Sequence, residues 1–352
     1  MNAPFTQQAA QIRMARLADP GEVARITAWT SLKEGTVFHL PHWLAAVEAG
    51  TGNRAMGLLA ERSGDIAGWF PLTLVHSPIF GRALVSSGFG VEGGVLADCE
   101  ATEHALCLAA EELARRHACA AVELRGGAAP YHWMRQNGSH AVFRRPLARD
   151  DEAQLLDIPR KQRAEVRKGL ANDLEVTIGN SRDELAVHYS VYCESVRNLG
   201  TPVFPRSLFD AVLDRLDADI LTVRHKGAAV ASVLSLYHAG AVLPYWGGGT
   251  AAARQLRAND RMYFELMLHA RRRGCTKFDF GRSKVASGAF AYKKNWGFDP
   301  VPLEYASWTV PGCAPRDADP GSARHSARIA LWKRLPLAVT NRLGPVIARG
   351  LG

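Results

Sequence analysis

Arg271-Arg272-Arg273-Gly274-Cys275-Thr276-Lys277-Phe278-Asp279-Phe280 restates an earlier stretch, Arg115-Arg116-His117-Ala118-Cys119-Ala120-Ala121-Val122-Glu123-Leu124, at an offset of 156 residues. In both, basic residues close what reads as a helix, a cysteine follows, and a short apolar strand carries one acid, Glu123 or Asp279. Cations there suit the negative pole of a helix. Phe278 and Phe280 alternate with Asp279, so a strand places the two rings on one face and the acid on the other.

The repeat extends upstream. Gly93-Gly94-Val95 and Gly248-Gly249-Thr250 precede the two helices at nearly the same offset. Leu106, Ala109, Ala110, Leu113 and Ala114 form one helix face, and Met262, Tyr263, Leu266, Met267 and Ala270 form the other, both at amphipathic spacing. Strand-like runs lie at 55–60 and 66–75, and again at 220–224 and 228–238. Ser63-Gly64-Asp65 and His225-Lys226-Gly227 supply hairpin turns between them. Each half therefore predicts helices, a hairpin, a glycine-rich strand end, a helix, a strand, a short helix and a last strand. The expected fold is α/β: an internal duplication in which each half is a mixed sheet flanked by helices. Asp150-Asp151-Glu152 and Pro159 punctuate the middle, which gives halves at 1–149 and 150–311 and a tail at 312–352.

Composition agrees with this reading. The 352 residues suit two domains of roughly 100–200 residues each. With 47% hydrophobic and 22% charged residues, the chain has the profile of a folded domain rather than of disorder, collagen or coiled coil. No apolar run approaches about 18 residues, so no spanning helix is expected. The opening sixteen residues hold no apolar core of a signal peptide, so a cytoplasmic protein is expected. The six cysteines include no C-x-x-C pair and read as small buried hydrophobes. His39, His42, His132 and His140 have no ligand spacing, so no metal is expected. No G-x-S-x-G elbow is present.

The formal net charge is +9, but six of those charges lie in 320–352, where there is no acid: Arg324, Arg328, Lys333, Arg334, Arg342 and Arg349. The excess thus belongs to the tail and points to an anionic surface rather than to DNA. Leu331, Trp332, Leu335, Leu337, Val339, Leu343, Val346 and Ile347 supply apolar anchors among these cations. Pro336 and Pro345 are expected to break the tail into short helices. It either lies on an anionic membrane, peripheral at the inner face, or docks on the body of the protein.

The densest segment for chemistry is Phe278-Asp279-Phe280-Gly281-Arg282-Ser283-Lys284, followed by Ser287-Gly288-Ala289-Phe290-Ala291-Tyr292-Lys293-Lys294-Asn295-Trp296-Gly297-Phe298. Arg282 and Lys284 project at a strand end, where open α/β sheets hold ligands. Lys293 and Lys294 follow, so four cations are available to clamp a phosphate or carboxylate. The plainer reading is a solvated basic face over a core of Trp296 and Phe298. Asp279 either accepts a proton or orients an amine, or is a buried partner of an arginine. A second basic cluster, Arg160, Lys161, Arg163, Arg167 and Lys168, would put Arg160, Arg163 and Arg167 on one helix face. That face either binds a phosphate-bearing substrate or is solvated.

The order of elements in each half resembles the acyltransferase fold of the GNAT superfamily. The segment 278–298 resembles the FemAB family signature, D-F-G-R followed by G-x-x-x-[FY]-K-x-x-W-G-F. Phe38-His39-Leu40-Pro41-His42-Trp43 resembles the opening of the first FemAB domain, and Phe80-Gly81-Arg82-Ala83-Leu84-Val85-Ser86-Ser87 with Gly93-Gly94-Val95-Leu96-Ala97 its middle. Gly200-Thr201-Pro202-Val203-Phe204-Pro205 and Leu331-Trp332-Lys333-Arg334-Leu335-Pro336-Leu337 resemble a subgroup associated with PEP-CTERM/exosortase gene clusters and exopolysaccharide production.

The resemblance implies tandem GNAT-like domains and acyl transfer to an amine. Characterised FemAB proteins move an amino acid from aminoacyl-tRNA onto a peptidoglycan precursor. Their active-site aromatic–lysine pair maps by motif onto Tyr292 and Lys293. No long charged heptad insertion lies between these halves to form the helical arm of those enzymes, which argues against tRNA. An acyl-CoA donor would need closely spaced glycines before a helix. Arg254-Gln255-Leu256-Arg257-Ala258-Asn259-Asp260 lacks them, and Gly247-Gly248-Gly249 just upstream is either a substitute or a plain turn.

Two functions follow. The first is an N-acyl- or aminoacyltransferase with no permanently bound cofactor and with acyl-CoA or aminoacyl-tRNA as co-substrate. It acts on an amine of an envelope or polysaccharide precursor. In it Lys293 is the electrostatic clamp, Tyr292 packs or donates, Asp279 assists, and Arg282, Lys284, Lys294, Arg160, Arg163 and Arg167 bind substrate. The second is a non-catalytic GNAT-like module that binds an anionic polymer or a polysaccharide-assembly complex.

Overall fold

Two-residue turns with both residues in the left-handed region, Ser63-Gly64 (φ 53 and 91) and Lys226-Gly227 (φ 50 and 79), close the two predicted hairpins. The computed structural model describes residues 9–78, 80–316 and 326–352. The first half runs β1 (Gln11–Met14), α1 (Pro20–Leu32), α2 (Pro41–Thr51), β2 (Arg54–Arg62), β3 (Asp65–Ser77), β4 (Gly81–Ser86), β5 (Leu96–Ala97), α3 (Glu100–Arg116), β6 (Ala121–Arg125) and β7 (Met134–Pro146). The second runs α4 (Asp151–Asp157), α5 (Arg160–Ala171), β8 (Glu175–Gly179), α6 (Arg182–Leu199), α7 (Arg206–Arg215), β9 (Ala218–His225), β10 (Ala228–His238), β11 (Ala241–Gly249), α8 (Ala253–Leu256), α9 (Ala258–Arg272), β12 (Lys277–Lys284), α10 (Gly288–Asn295) and β13 (Pro300–Thr309). The tail holds α11 (Ser326–Trp332) and α12 (Leu337–Ala348). The expected tandem GNAT-like α/β fold is present.

The duplication repeats atom by atom at the two helix–strand junctions. The Cys119 amide donates to Ala114 O at 2.9 Å, and the Cys275 amide to Ala270 O at 2.9 Å. Each closes its helix through a left-handed residue, Ala118 (φ 50) or Gly274 (φ 87), before the strand begins. Glycine adopts that conformation freely, whereas alanine is strained there. Ala118 is exposed, so Ala118→Gly should raise stability by about 0.5–1 kcal/mol, read as a higher midpoint in urea unfolding. The glycine pairs are less alike than their spacing suggests. Gly248 and Gly249 end β11, but Gly93 and Gly94 lie in an irregular loop after β4, because Ser87 (φ 43) and Phe89 (φ 63) take the chain out of strand conformation.

The two halves form one sheet, in the order β1-β2-β3-β4-β6-β13-β7-β12-β11-β10-β9-β8, with β5 on β3. Its centre is a reciprocal exchange. The last strand of the first half, β7, pairs with β12, while the last strand of the second, β13, pairs with β6. β7 and β13 also pair with each other, and all these central pairs are antiparallel. Parallel pairing occurs in the described residues only at β4·β6 and β11·β12, the equivalent places in the two halves. Apolar side chains pack between the sheet and its helices: Phe70, Leu84 and Val122 against Leu106 of α3, and Phe143, Phe278 and Trp296 against Met262 of α9.

The tail docks on the body. α12 turns Thr340, Gly344 and Ala348 inward, and a methyl on Gly344 would lie 2.8 Å from Val203 Cγ1. Pro336 precedes α12, but Pro345 lies inside it rather than ending it. The carbonyl deprived of its donor there is that of Asn341, an exposed residue whose backbone water can serve. Of the expected anchors, Leu331, Val339, Leu343 and Val346 are exposed, whereas Trp332, Leu335, Leu337 and Ile347 are half-buried. Arg324 lies outside the described residues.

Candidate active site

β11 and β12 pair only at Ala241↔Lys277 and Val242↔Phe278, and then part. Beyond Val242, β11 continues to Gly249 against β10, and its other edge has no strand neighbour among the described residues. A cavity of about 650 Å³ occupies the opening. Its walls are Pro244–247 of β11 with 280–283 of β12, and the first half closes it through Phe89, Val91, Arg125, Gln136 and His140. Tyr245 and Tyr305 tie the halves together there, donating to Phe89 O and to Val91 O (3.0 Å for the latter).

A bulge in β12 shapes this wall. Asp279 opposes Arg144 and Arg282 opposes Val142, so Phe280 and Gly281 together face Phe143. Gly281 sits at φ 67, a conformation suited to glycine, and its amide donates to Asp279 Oδ1 at 2.8 Å. Arg144 Nε donates to Asp279 Oδ2 at 2.7 Å, and Arg144 also pairs with Glu92. Asp279 is therefore the buried partner of an arginine and a staple for the bulge. Its two oxygens are engaged by Arg144 and by the Gly281 amide rather than aimed at the cavity.

Lys293 projects from α10 onto this bulge. Its Nζ donates to Gly281 O at 3.1 Å and to Arg282 O at 3.0 Å, and lies 5.5 Å from the centre of Phe143 and 5.6 Å from that of Phe280. Burial pulls its pKa down to about 8, opposed by the charge of Asp279 and aided by that of Arg282. Both Lys293 and Arg282 line the cavity. Arg282 donates to Tyr305 Oη at 2.9 Å.

The other proposed site residues lie elsewhere. Tyr292 faces the core beside Tyr263, Phe280 and Trp296, and its hydroxyl donates to Asp260 Oδ1 at 2.9 Å rather than into the cavity. Consecutive helical residues point about 100° apart, so Lys293 and Tyr292 cannot share one target. For the same reason Lys294 is exposed on α10 and does not line the cavity. Lys284 lies one residue past the cavity wall on β12. Arg160, Arg163 and Arg167 sit on α5, whose buried face of Gln162, Val166 and Gly169 packs on α9, and none of the three lines the cavity.

The first turn of α9 holds a buried carboxylate, Asp260, between Tyr292 and Gln162 (2.6 Å), not a glycine cradle. Gly248 and Gly249 serve close packing instead: added methyls would lie 2.1 Å from Ser195 Oγ and 2.5 Å from Ala253 Cβ. Arg144, Tyr245, Tyr305 and Arg125 are the site residues that sequence spacing did not reveal. Arg125, Arg144 and Tyr305 reach the site through the strand exchange, and Tyr245 through β11, the neighbour of β12 in its own half.

Residues 159–294 match a family model described as an acetyltransferase (GNAT) domain. No curated protein matches the sequence. Among solved structures the chain superposes on FemX with a TM-score of 0.63 at 16% identity, over 80% of this chain and 95% of that one. It superposes on a tandem GNAT protein from the clavulanic acid biosynthesis pathway with a TM-score of 0.58 at 13% identity, over 87% and 100%. L-PGS from Bacillus licheniformis gives a TM-score of 0.52 at 16% identity, over 95% and 97%. At these identities the likeness is one of fold.

Proposed function

We propose that the protein is an N-acyl- or aminoacyltransferase whose activated donor enters between β11 and β12 and whose chemistry takes place beside Lys293. One observation carries this reading: the two strands part after a short parallel pairing, and the opening leads to a half-buried lysine whose ammonium is fixed on two carbonyls. The acetyltransferase model over 159–294 and the folds of FemX and L-PGS support it.

In the reaction a neutral amine attacks the donor carbonyl carbon, and the carbonyl electrons move onto oxygen. Collapse restores the double bond and expels the donor's leaving group with its bonding pair, and that leaving group takes up the proton lost by the amine nitrogen. The ammonium of Lys293 stabilises the oxygen as it gains charge. Asp279 holds the Gly281 turn, and through it the carbonyl that seats Lys293. Tyr292 buttresses α10 through Asp260. Arg282 binds an anionic part of a substrate, with Lys284 beyond it and Lys294 and the α5 arginines at a distance. Acyl-CoA and aminoacyl-tRNA are the two candidate donors, and the acetyltransferase model over 159–294 supports acyl-CoA. The resemblance of 200–205 and 331–337 to the exosortase-associated subgroup supports an amine-bearing envelope or exopolysaccharide precursor as acceptor. The test is incubation of the full chain with a panel of acyl-CoA and aminoacyl-tRNA donors plus amine acceptors. Donor consumption dependent on acceptor is the expected result, and none across the panel would reject the reading.

The tail supports a peripheral seat on an anionic membrane. Val339, Leu343 and Val346 form an exposed apolar stripe on α12, with Lys333, Arg334, Arg342 and Arg349 exposed around it. Each cation near an anionic surface contributes about 1 kcal/mol. No helix among the described residues is long and apolar enough to cross a membrane. Full-length protein should co-sediment with anionic vesicles in a salt-sensitive way, and the triple change Val339→Asp, Leu343→Asp and Val346→Asp should abolish this. Equal sedimentation of the two would reject the membrane seat.

A further inference from the structure

Ser283 is 5% exposed and lines the cavity, and its Oγ has no hydrogen-bond partner. It stands out because buried hydroxyls are almost always paired, and one left unpaired costs folding free energy. Among the described residues two other hydroxyls share this property, Thr30 Oγ1 and Ser235 Oγ, but neither residue lines the cavity. Ser283 lies two residues past Gly281, beside the Arg282 carbonyl that holds the Lys293 ammonium. The β12 bulge places it there: the extra residue shifts the strand's alternation, so Ser283 is buried and Arg282 is exposed.

We propose that Ser283 is a further catalytic residue, whose Oγ–H completes its hydrogen bonding only on the acyl carbonyl oxygen of the bound donor. This rests on the acyltransferase reading above. The cations lining the second half's wall, Arg282 and Lys293, favour an oxygen that gains negative charge as its neighbour. As the amine nitrogen bonds to the carbonyl carbon, the π electron pair moves to that oxygen. Ser283 then donates to a full oxyanion, a stronger acceptor than the ground-state carbonyl. When the pair returns and the leaving group departs with its own bonding pair, Ser283 keeps its proton throughout. The free hydroxyl is thus a donor set in place before the substrate arrives.

The test compares Ser283→Ala with Ser235→Ala in the full chain. Ser283→Ala should lower kcat/KM for the consumed donor by about 10²-fold. Its thermal midpoint should stay level or rise, because an unsatisfied hydroxyl has been removed. Ser235→Ala should shift the midpoint in the same direction with turnover unchanged. Ser283→Cys, of similar size with a weaker donor, should recover part of the rate. Wild-type turnover in Ser283→Ala, measured beside an impaired Lys293→Ala, overturns the role of Ser283 and leaves the acyltransferase reading standing. A fall in turnover that tracks a fall in midpoint overturns it in favour of a structural role. Absence of donor turnover in the wild type overturns both readings.

Discussion

Lys293→Ala is expected to lower turnover by about 10²–10³-fold, or roughly 3–4 kcal/mol in transition-state stabilisation. The ammonium is seated on Gly281 O and Arg282 O and faces the cavity, so its charge is fixed before the reaction and needs no reorganisation. The fold should survive, because α10 keeps the Ser287 cap on Phe290 N and Trp296 keeps its place in the core. Lys294→Ala should leave turnover within about twofold, since that side chain points to solvent. Tyr292→Phe removes the donor to buried Asp260 and should cost about 1 kcal/mol of stability with little loss of rate. The pH dependence has a definite sign. Burial lowers the pKa of Lys293 to about 8, so the group is cationic below that value and neutral above it. Turnover that depends on the ammonium should fall as pH rises through about 8, and the fall should vanish in Lys293→Ala. Near-wild-type turnover in that variant would place the chemistry elsewhere.

Separating the chain at residue 149 should abolish folding of both pieces. A fragment of 1–149 keeps β7 but loses β12 and β13, its two neighbours. It also leaves the edge of β6 unpaired and takes Ala306 and Trp308 away from Val122 and Leu124. A fragment of 150–352 loses β7, leaving β12 with only its two-residue pairing to β11 and β13 with no strand on either side. Apolar burial at this seam is shared between the pieces: Phe143 of β7 is fully buried among Phe278, Phe280 and Trp296. Each piece alone should aggregate or give an unfolded circular-dichroism spectrum, and co-expression should restore a soluble, cooperatively melting complex. Two independently folded fragments would show that the exchange contributes little.

The duplication was legible in the sequence because its carriers are local. A helix end, a left-handed residue, a cysteine and an alternating strand lie within ten residues, and each follows from backbone and side-chain preferences of near neighbours. Hairpin turns at 63–64 and 226–227 are of the same kind. So is the D-F-G-R run, whose Asp279 points away from the phenylalanines as alternation requires. Lys293 too was reachable, through the order of short motifs along the chain.

Only the tertiary structure decided how the halves are joined and which residues meet. Strand pairing between residues over a hundred positions apart leaves no periodic trace, so β7 beside β12 could not be read from either strand. That pairing delivers Arg144 to Asp279 and converts an apparent acid–base candidate into a positioning group. The bulge at Gly281 is a one-residue departure from alternation, and it exchanges the fates of Arg282 and Ser283. Four cations adjacent in sequence were expected to converge, but the bulge and the turn of α10 bring only Arg282 and Lys293 to the cavity. Local sequence determines what each element is, because its forces act between near neighbours. Burial and strand partnership determine what each side chain faces, because those forces act between surfaces that the chain brings together only on folding.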